Sequence, residues 1–210
     1  MTTDGADRWW VTDPDDAARA AAAERGLVAT RRLFQMRRPL PLGSTDPIVS
    51  DPVVPTRAFD PDRDVDDWLA INNAAFSWHP EQGGWTRATL EARMQEPWFD
   101  LEGFRIGTDA STGAMTGFCW TKVHADHDPV LGEIYVIAVA PAHAGRGLGR
   151  ALTIAGLDWL WRERRTPVGM LYVEADNDRA LATYRHLGFE VHATDVLFTP
   201  PPGSPSAESP

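Results

Sequence analysis

Residues 133–152, Glu-Ile-Tyr-Val-Ile-Ala-Val-Ala-Pro-Ala-His-Ala-Gly-Arg-Gly-Leu-Gly-Arg-Ala-Leu, decide the fold. Glu133 to Val139 is nearly continuous in apolar residues, the pattern of a strand buried on both faces. Gly147 to Arg164 reads as a helix, with Leu148, Leu152, Ala155 and Trp159 along one stripe. Between them lies Ala144-Gly145-Arg146-Gly147-Leu148-Gly149. Glycines let such a turn tighten and point successive N–H groups outward, and the helix start adds about half a positive charge. That combination suits a diphosphate. No Lys-Ser/Thr pair follows, so it is not a P-loop, and its glycines lack the G-x-G-x-x-G spacing that a dinucleotide fingerprint needs after the first strand of its unit. A plain glycine-rich turn would fit the loop alone; the strand before it and the amphipathic helix after it favour binding.

Outward from this unit the chain keeps alternating. Val54–Phe59 reads as a strand and Val65–Phe76 as a helix with Val65, Trp68, Leu69 and Asn72 at helical spacing. Thr86 caps a helix running through Gln95. Phe104–Gly107 and Gly117–His124 form a hairpin around Asp109–Gly113. Val168–Val173 is a second buried strand, Asn177–Leu187 a helix stopped by Gly188, and a last strand starts at Phe189. The expected fold class is α/β (α+β), a mixed central sheet flanked by helices on both faces. Ahead of it, Asp13 and Pro14 read as a helix cap and first turn, Ala17–Arg25 as the helix, Gly26 as its stop and Leu27–Arg37 as a strand. That piece is too short for its own core and must dock on something. The expected division is 1–42 for this segment, 43–53 for a proline-rich linker, 54–199 for the main domain and 200–210 for a disordered tail.

Composition narrows the partners. The 210 residues carry 20 Lys+Arg against 30 Asp+Glu, a formal charge of −10. That disfavours nucleic acid, which needs a basic stripe, and mildly favours a cationic small molecule. The sole cysteine, Cys119, cannot form an internal disulfide and suggests a reducing cytoplasm. No signal peptide is visible in MTTDGADRWW, and no apolar run approaches the roughly 20 residues of a membrane span. No membrane partner is therefore expected.

The strand ending in Val139-Ala140-Pro141 and the loop Ala144–Gly149 resemble the GNAT acetyltransferase superfamily. The resemblance implies acetyl-CoA as donor, with Ile137, Ala138 and Val139 against pantetheine and thioester. It places Ala144, Gly145, Arg146, Gly147, Leu148, Gly149 and Arg150 on the pyrophosphate. Further coenzyme contacts are implied for Asn177, Asp178, Arg179, Ala180, Leu181 and Ala182. At Ala144 the chain departs from the family's Gln or Arg, which implies weaker binding with the backbone cradle kept and Arg146 as partial compensation.

Further stretches narrow the resemblance: Asn72–Phe76, His79-Pro80-Glu81-Gln82-Gly83-Gly84-Trp85, Trp120–His124, Gly132–Val136 and Leu171–Asn177. Together they are similar to the mycothiol synthase branch, which acetylates the cysteinyl amine of cysteinyl-glucosaminyl-inositol. That branch has two tandem repeats, and Trp10–Leu40 resembles the final helix and strand of the first. The expectation is a complete second repeat behind a truncated first, through either a late-called start or a natural shortening. A monomer or a weak dimer through that segment is expected.

The resemblance implies Glu133 as the base that takes the ammonium's proton and Tyr184 as the acid for the departing thiolate. Asn177, Ala180 and Tyr184 fit the family's Asn-x-x-Ala-x-x-x-Tyr. By residue type alone, Glu133 is also an ordinary strand-edge glutamate and Tyr184 a packed tyrosine. Glu133 reads as sharing a strand face with Tyr135, Ile137 and Val139. Glu81, Lys122, Glu133 and Tyr172 match substrate-binding positions. No metal is expected: His124, His127 and Asp128 fall in a turn that reads as solvated. Cys119 reads as a small buried hydrophobe. Trp68, Trp78, Trp85, Trp98 and Trp120 stay open between packing and sugar platforms. Competing readings are a protein N-terminal acetyltransferase of the same fold and a non-catalytic acyl-CoA-binding module.

Overall fold

The structure is a computed structural model that describes residues 8–43, 54–79 and 82–202. Its strands are β1 (Trp9–Thr12), β2 (Val28–Pro39), β3 (Thr56–Ala58), β4 (Phe104–Thr108), β5 (Met115–His124), β6 (Leu131–Val139), β7 (Val168–Glu174) and β8 (Glu190–Thr199). Its helices are α1 (Asp16–Glu24), α2 (Val65–Ala75), α3 (Arg87–Met94), α4 (Leu148–Arg164) and α5 (Asp178–His186). The strands form one sheet in the order β1-β8-β2-β7-β6-β5-β4-β3. All pairings are antiparallel except β6 with β7. The expected mixed sheet is therefore present.

Two apolar clusters cover its faces. One contains Trp68, Leu90, Phe104, Phe118 and Trp120 and joins α2 and α3 to the sheet. Phe104 stacks between Phe59 and Trp120, with ring centroids 4.4 Å from each. Trp68, Trp85 and Trp120 are core residues here, at most 6% exposed. The other cluster holds Leu152, Leu157 and Leu160 of α4 against Cys119, Ile134 and Leu171 of the sheet and Leu181 of α5. The buried stripe of α4 runs through Leu152, Gly156 and Leu160, with Leu148 and Ala155 only partly covered. Gly156 is required there, since a Cβ would come within 2.5 Å of the Cys119 sulfur. That close approach seats α4 on β5.

The N-terminal segment is built into this sheet rather than laid upon it. β2 lies between β7 and β8, pairing Leu33–Pro39 with Glu174–Val168 on one side. α1 packs through Ala22, with Leu27 beyond it, onto Val196 and Phe198 of β8. Its cap is Asp15, whose carboxylate accepts the Ala18 N–H at 2.8 Å. Asp13, read as the cap, instead takes a positive φ of 46° and exchanges hydrogen bonds with Thr194. The strand β1 was not expected from its few residues. Most of the proline-rich linker, 44–53, and residues 203–210 of the tail lie outside the described residues.

Candidate active site

β6 and β7 run parallel and pair only from Leu131/Val168 to Glu133/Met170. β7 is held to the end by β2, so β6 leaves it and a cleft opens between them. Within β6 the register to β5 slips between Trp120/Val136 and Thr121/Ile134, which makes Tyr135 an extra, bulged residue. The bulge breaks the expected alternation. Tyr135, Val136 and Ala138 pack on the α2–α3 side, whereas Ile137 and Val139 pack into the α4 cluster. Glu133, Tyr135, Ile137 and Val139 therefore do not share one face. Strict period-two spacing fails where one residue has no partner.

Three adjoining cavities follow the cleft. The first, about 610 Å³, surrounds the glycine loop and is lined by Ala144, Gly145, Gly147, Leu148, Gly149 and Arg150. Gly145 and Gly147 have φ of 79° and 78°, a region that side chains disfavour. The Ala151 N–H donates to the Gly147 carbonyl at 3.1 Å, and the N–H groups before it in the first turn have no intrahelical carbonyl within reach. His143, Arg179 and His186 add basic groups around the same space. His143 and His186 were not singled out in the sequence, because only folding brings them beside the loop. Arg146 is exposed and is not among the residues lining this cavity.

A middle cavity of about 240 Å³ is lined by Ile137, Ala138, Val139, Asn177, Ala180 and Tyr184, among others. Asn177 caps α5, its side-chain oxygen accepting the Ala180 N–H at 3.1 Å. Arg179 and Ala182 also reach the cleft, but Asp178 does not line it and Leu181 is buried in the core. A helix turn cannot present all six consecutive residues to one side.

The third cavity, about 410 Å³, contains both expected catalytic groups, Glu133 and Tyr184. Glu133 is 7% exposed, and its Oε2 lies 2.7 Å from His124 Nε2. Tyr184 packs edge-on against Phe189, and burial pushes its phenol up to about 12. It therefore stays a proton donor. Tyr172 lines the wall, its hydroxyl accepting from Gln35 Nε2 at 2.7 Å. Lys122 does not line this cavity; its ammonium sits 4.6 Å from the Trp98 ring centroid and 5.7 Å from that of Tyr135. Glu81 falls outside the described residues. The structure adds Arg31, Trp78, His79, Gln82 and Glu174 to the lining. Trp78, 61% exposed, is the tryptophan of the five that offers a ring to this cavity.

His124, Asp126 and His127 place one nitrogen or oxygen each within 4.8 Å of one another in the turn after β5. His124 is at the same time engaged by Glu133, and Asp126 and His127 are exposed. Cys119 is fully buried, and desolvation raises its thiol to about 12, so it is no nucleophile at neutral pH. Among the described residues no helix is long and apolar enough to cross a membrane.

Residues 66–189 match the Acetyltransferase (GNAT) family. The chain is similar to the mycothiol acetyltransferase of Mycolicibacterium gilvum, 49% identical over 91% of this chain and 63% of that protein. It is similar also to that of Nocardia farcinica, at 46% identity over 94% of this chain and 66% of the relative. The chain thus spans just under two thirds of these relatives' lengths. In fold it resembles a GCN5-related N-acetyltransferase from Sphaerobacter thermophilus, with TM-score 0.67 and 21% identity over 91% of this chain and 58% of that one. A tandem GNAT protein from the clavulanic acid biosynthesis pathway gives TM-score 0.63 at 21% identity, over 91% of this chain and 62% of its own.

Proposed function

The chain belongs to the GNAT acetyltransferase family, and from that premise we propose that it transfers acetyl from acetyl-CoA to the cysteinyl amine of cysteinyl-glucosaminyl-inositol. The observation that carries this reading is the cleft itself. A glycine loop at a helix start, a middle passage along β6 and a polar cavity with Glu133 and Tyr184 adjoin in that order. The similarity to mycothiol acetyltransferases at 46–49% identity over most of the chain favours that acceptor.

The residues fit the donor. Left-handed Gly145 and Gly147 turn the loop outward, and the α4 start with Arg150 and Arg179 gives an electropositive pocket for phosphates. When bound, acetyl-CoA supplies the activated acetyl group and a thiol leaving group. Glu133 attracts the acceptor's ammonium and takes a proton from its nitrogen, freeing the lone pair. His124 holds the carboxylate in place. Tyr184 presents an O–H where the sulfur's negative charge develops, and its protonated state is secured by burial. Trp78, Gln82 and Tyr172 offer a ring face and mixed donors and acceptors, as a neutral sugar pair needs. Residues 9–42 are read as the closing elements of a preceding repeat, contributed to this sheet through β2.

Rates on the cysteinyl pseudodisaccharide and on a panel of peptide N-termini test the reading. Strong preference for the pseudodisaccharide supports it, and preference for peptides replaces it with a protein N-terminal acetyltransferase.

A further inference from the structure

Arg31 reaches the acceptor cavity from β2, at the point where β2 stops pairing with β7. The β2–β7 ladder begins at Leu33/Glu174, and the β2–β8 register slips between Ala29 and Arg31, leaving Thr30 as an extra residue. That bulge aims the guanidinium at Glu174: Nη2 lies 2.5 Å and Nε 3.0 Å from Oε1. Both side chains are largely covered, 18% and 15% exposed. Arg31 Nη2 also lies 3.3 Å from His79 Nε2, across the same cavity.

Among the described residues lining the cavity, the fixed charges are Arg31, Glu133 and Glu174. Arg31 neutralises Glu174. Glu133 is bonded to the His124 imidazole, and Lys122, which does not line the cavity, is its cross-strand register partner. Among the described lining residues, Glu133 is therefore the carboxylate that Arg31 does not pair with. A poorly solvated cavity discriminates by charge more strongly than open water does.

We propose that Arg31 is a specificity-determining residue that cancels the Glu174 carboxylate, so that the site selects an acceptor with a single ammonium on an otherwise neutral body. The inference rests on the proposed acceptor site and adds to it an expected preference against polyamines. Arg31→Gln uncovers a second carboxylate and should favour a dication. Glu174→Gln removes a carboxylate from the wall and should disfavour a dication further. The two substitutions have opposite predicted signs, which a general loss of folding would not produce.

The test compares cysteinyl-glucosaminyl-inositol with its lysyl analogue, which bears a second ammonium. kcat/KM is measured for both in the wild type, in each single variant and in the Arg31→Gln/Glu174→Gln double variant. Arg31→Gln should move the preference about tenfold toward the lysyl analogue, mostly through KM, and Glu174→Gln should move it the other way. The double variant should return toward the wild-type ratio. An unchanged ratio in Arg31→Gln, or shifts of the same sign in both single variants, overturns the proposal. If the wild type acetylates neither compound, the proposed acceptor fails, and the charge assignment is read from calorimetric affinities of the same pair in the presence of coenzyme A. A wild type that binds neither overturns both.

Discussion

Glu133 and Met170 are the last register partners of β6 and β7. Beyond this pair β6 parts from β7, while β2 keeps β7 straight through antiparallel pairing from Leu33 to Pro39. The cleft is thus a consequence of sheet order. Glu133 sits at its closed end, buried and bonded to His124, and Tyr184 stands on the α5 wall of the same cavity. The proposed base and the proposed acid therefore face one space from different elements.

Glu133→Gln keeps the side chain's shape and its ability to bond His124 but removes the base. Turnover should fall by about 10²–10⁴-fold, with thermal stability nearly unchanged. Initial rates and a melting curve on the same preparation check this; an undiminished rate removes Glu133 from the mechanism.

Tyr184→Phe should reduce kcat by about tenfold or more while leaving the affinity for acetyl-CoA close to wild type. Because burial raises the wild-type phenol to about 12, its protonated form persists through neutral and mildly alkaline pH. The wild-type rate should accordingly show no loss from Tyr184 in that range. A descending limb near neutral pH that vanishes in Tyr184→Phe would contradict the assignment.

Gly147→Ala tests the loop. No neighbour lies within 4 Å of the added Cβ, so the cost is the φ of 78° alone, about 1–2 kcal/mol. The variant should melt lower and gain less stability from added acetyl-CoA than the wild type. Melting curves with and without the ligand measure both effects.

Asp64 anchors the start of α2. Burial alone would raise its carboxyl, but bonds from Arg57, the Asp60 N–H and Arg63 outweigh burial and lower it. A lowered group contributes stability above its unfolded pKa and loses it as pH falls through the folded value. Asp64→Asn should cost about 1–2 kcal/mol at neutral pH, less than a fully buried pair because Arg57 is one-third exposed. The gap in urea midpoint between the two proteins should narrow on acidification below the ordinary carboxylate range.

Cys119, buried and raised to about 12, should resist thiol reagents in the native protein and react only on unfolding. Labelling kinetics with and without denaturant check this, and fast native labelling would contradict the burial.

The parts legible in the sequence were local. The apolar strand, the glycine loop and the α4 pattern lie within twenty consecutive residues, and each is set by near neighbours. The place of β2 was not legible, because the partners of Met36, Leu171 and Val191, are more than a hundred residues away. Nor was the bulge at Tyr135. Ile134 to Val139 is apolar on both faces, so no polar–apolar alternation marks the slipped register. The same nonlocality hid Arg31, which a bulge of its own turns toward Glu174. Nor was the position of Lys122 legible, since its ammonium sits over Trp98, from another part of the chain, and beside Tyr135 of the cavity wall.

Acetyl transfer to one particular amine is measured most directly by mass spectrometry of a reaction of the purified protein with acetyl-CoA and cysteinyl-glucosaminyl-inositol. One acetyl group on the cysteinyl nitrogen, coenzyme A released in equal amount, and loss of both in Glu133→Gln are expected. Binding of acetyl-CoA without any acetylated pseudodisaccharide, or acetylation that persists undiminished in Glu133→Gln, would contradict the proposed transfer.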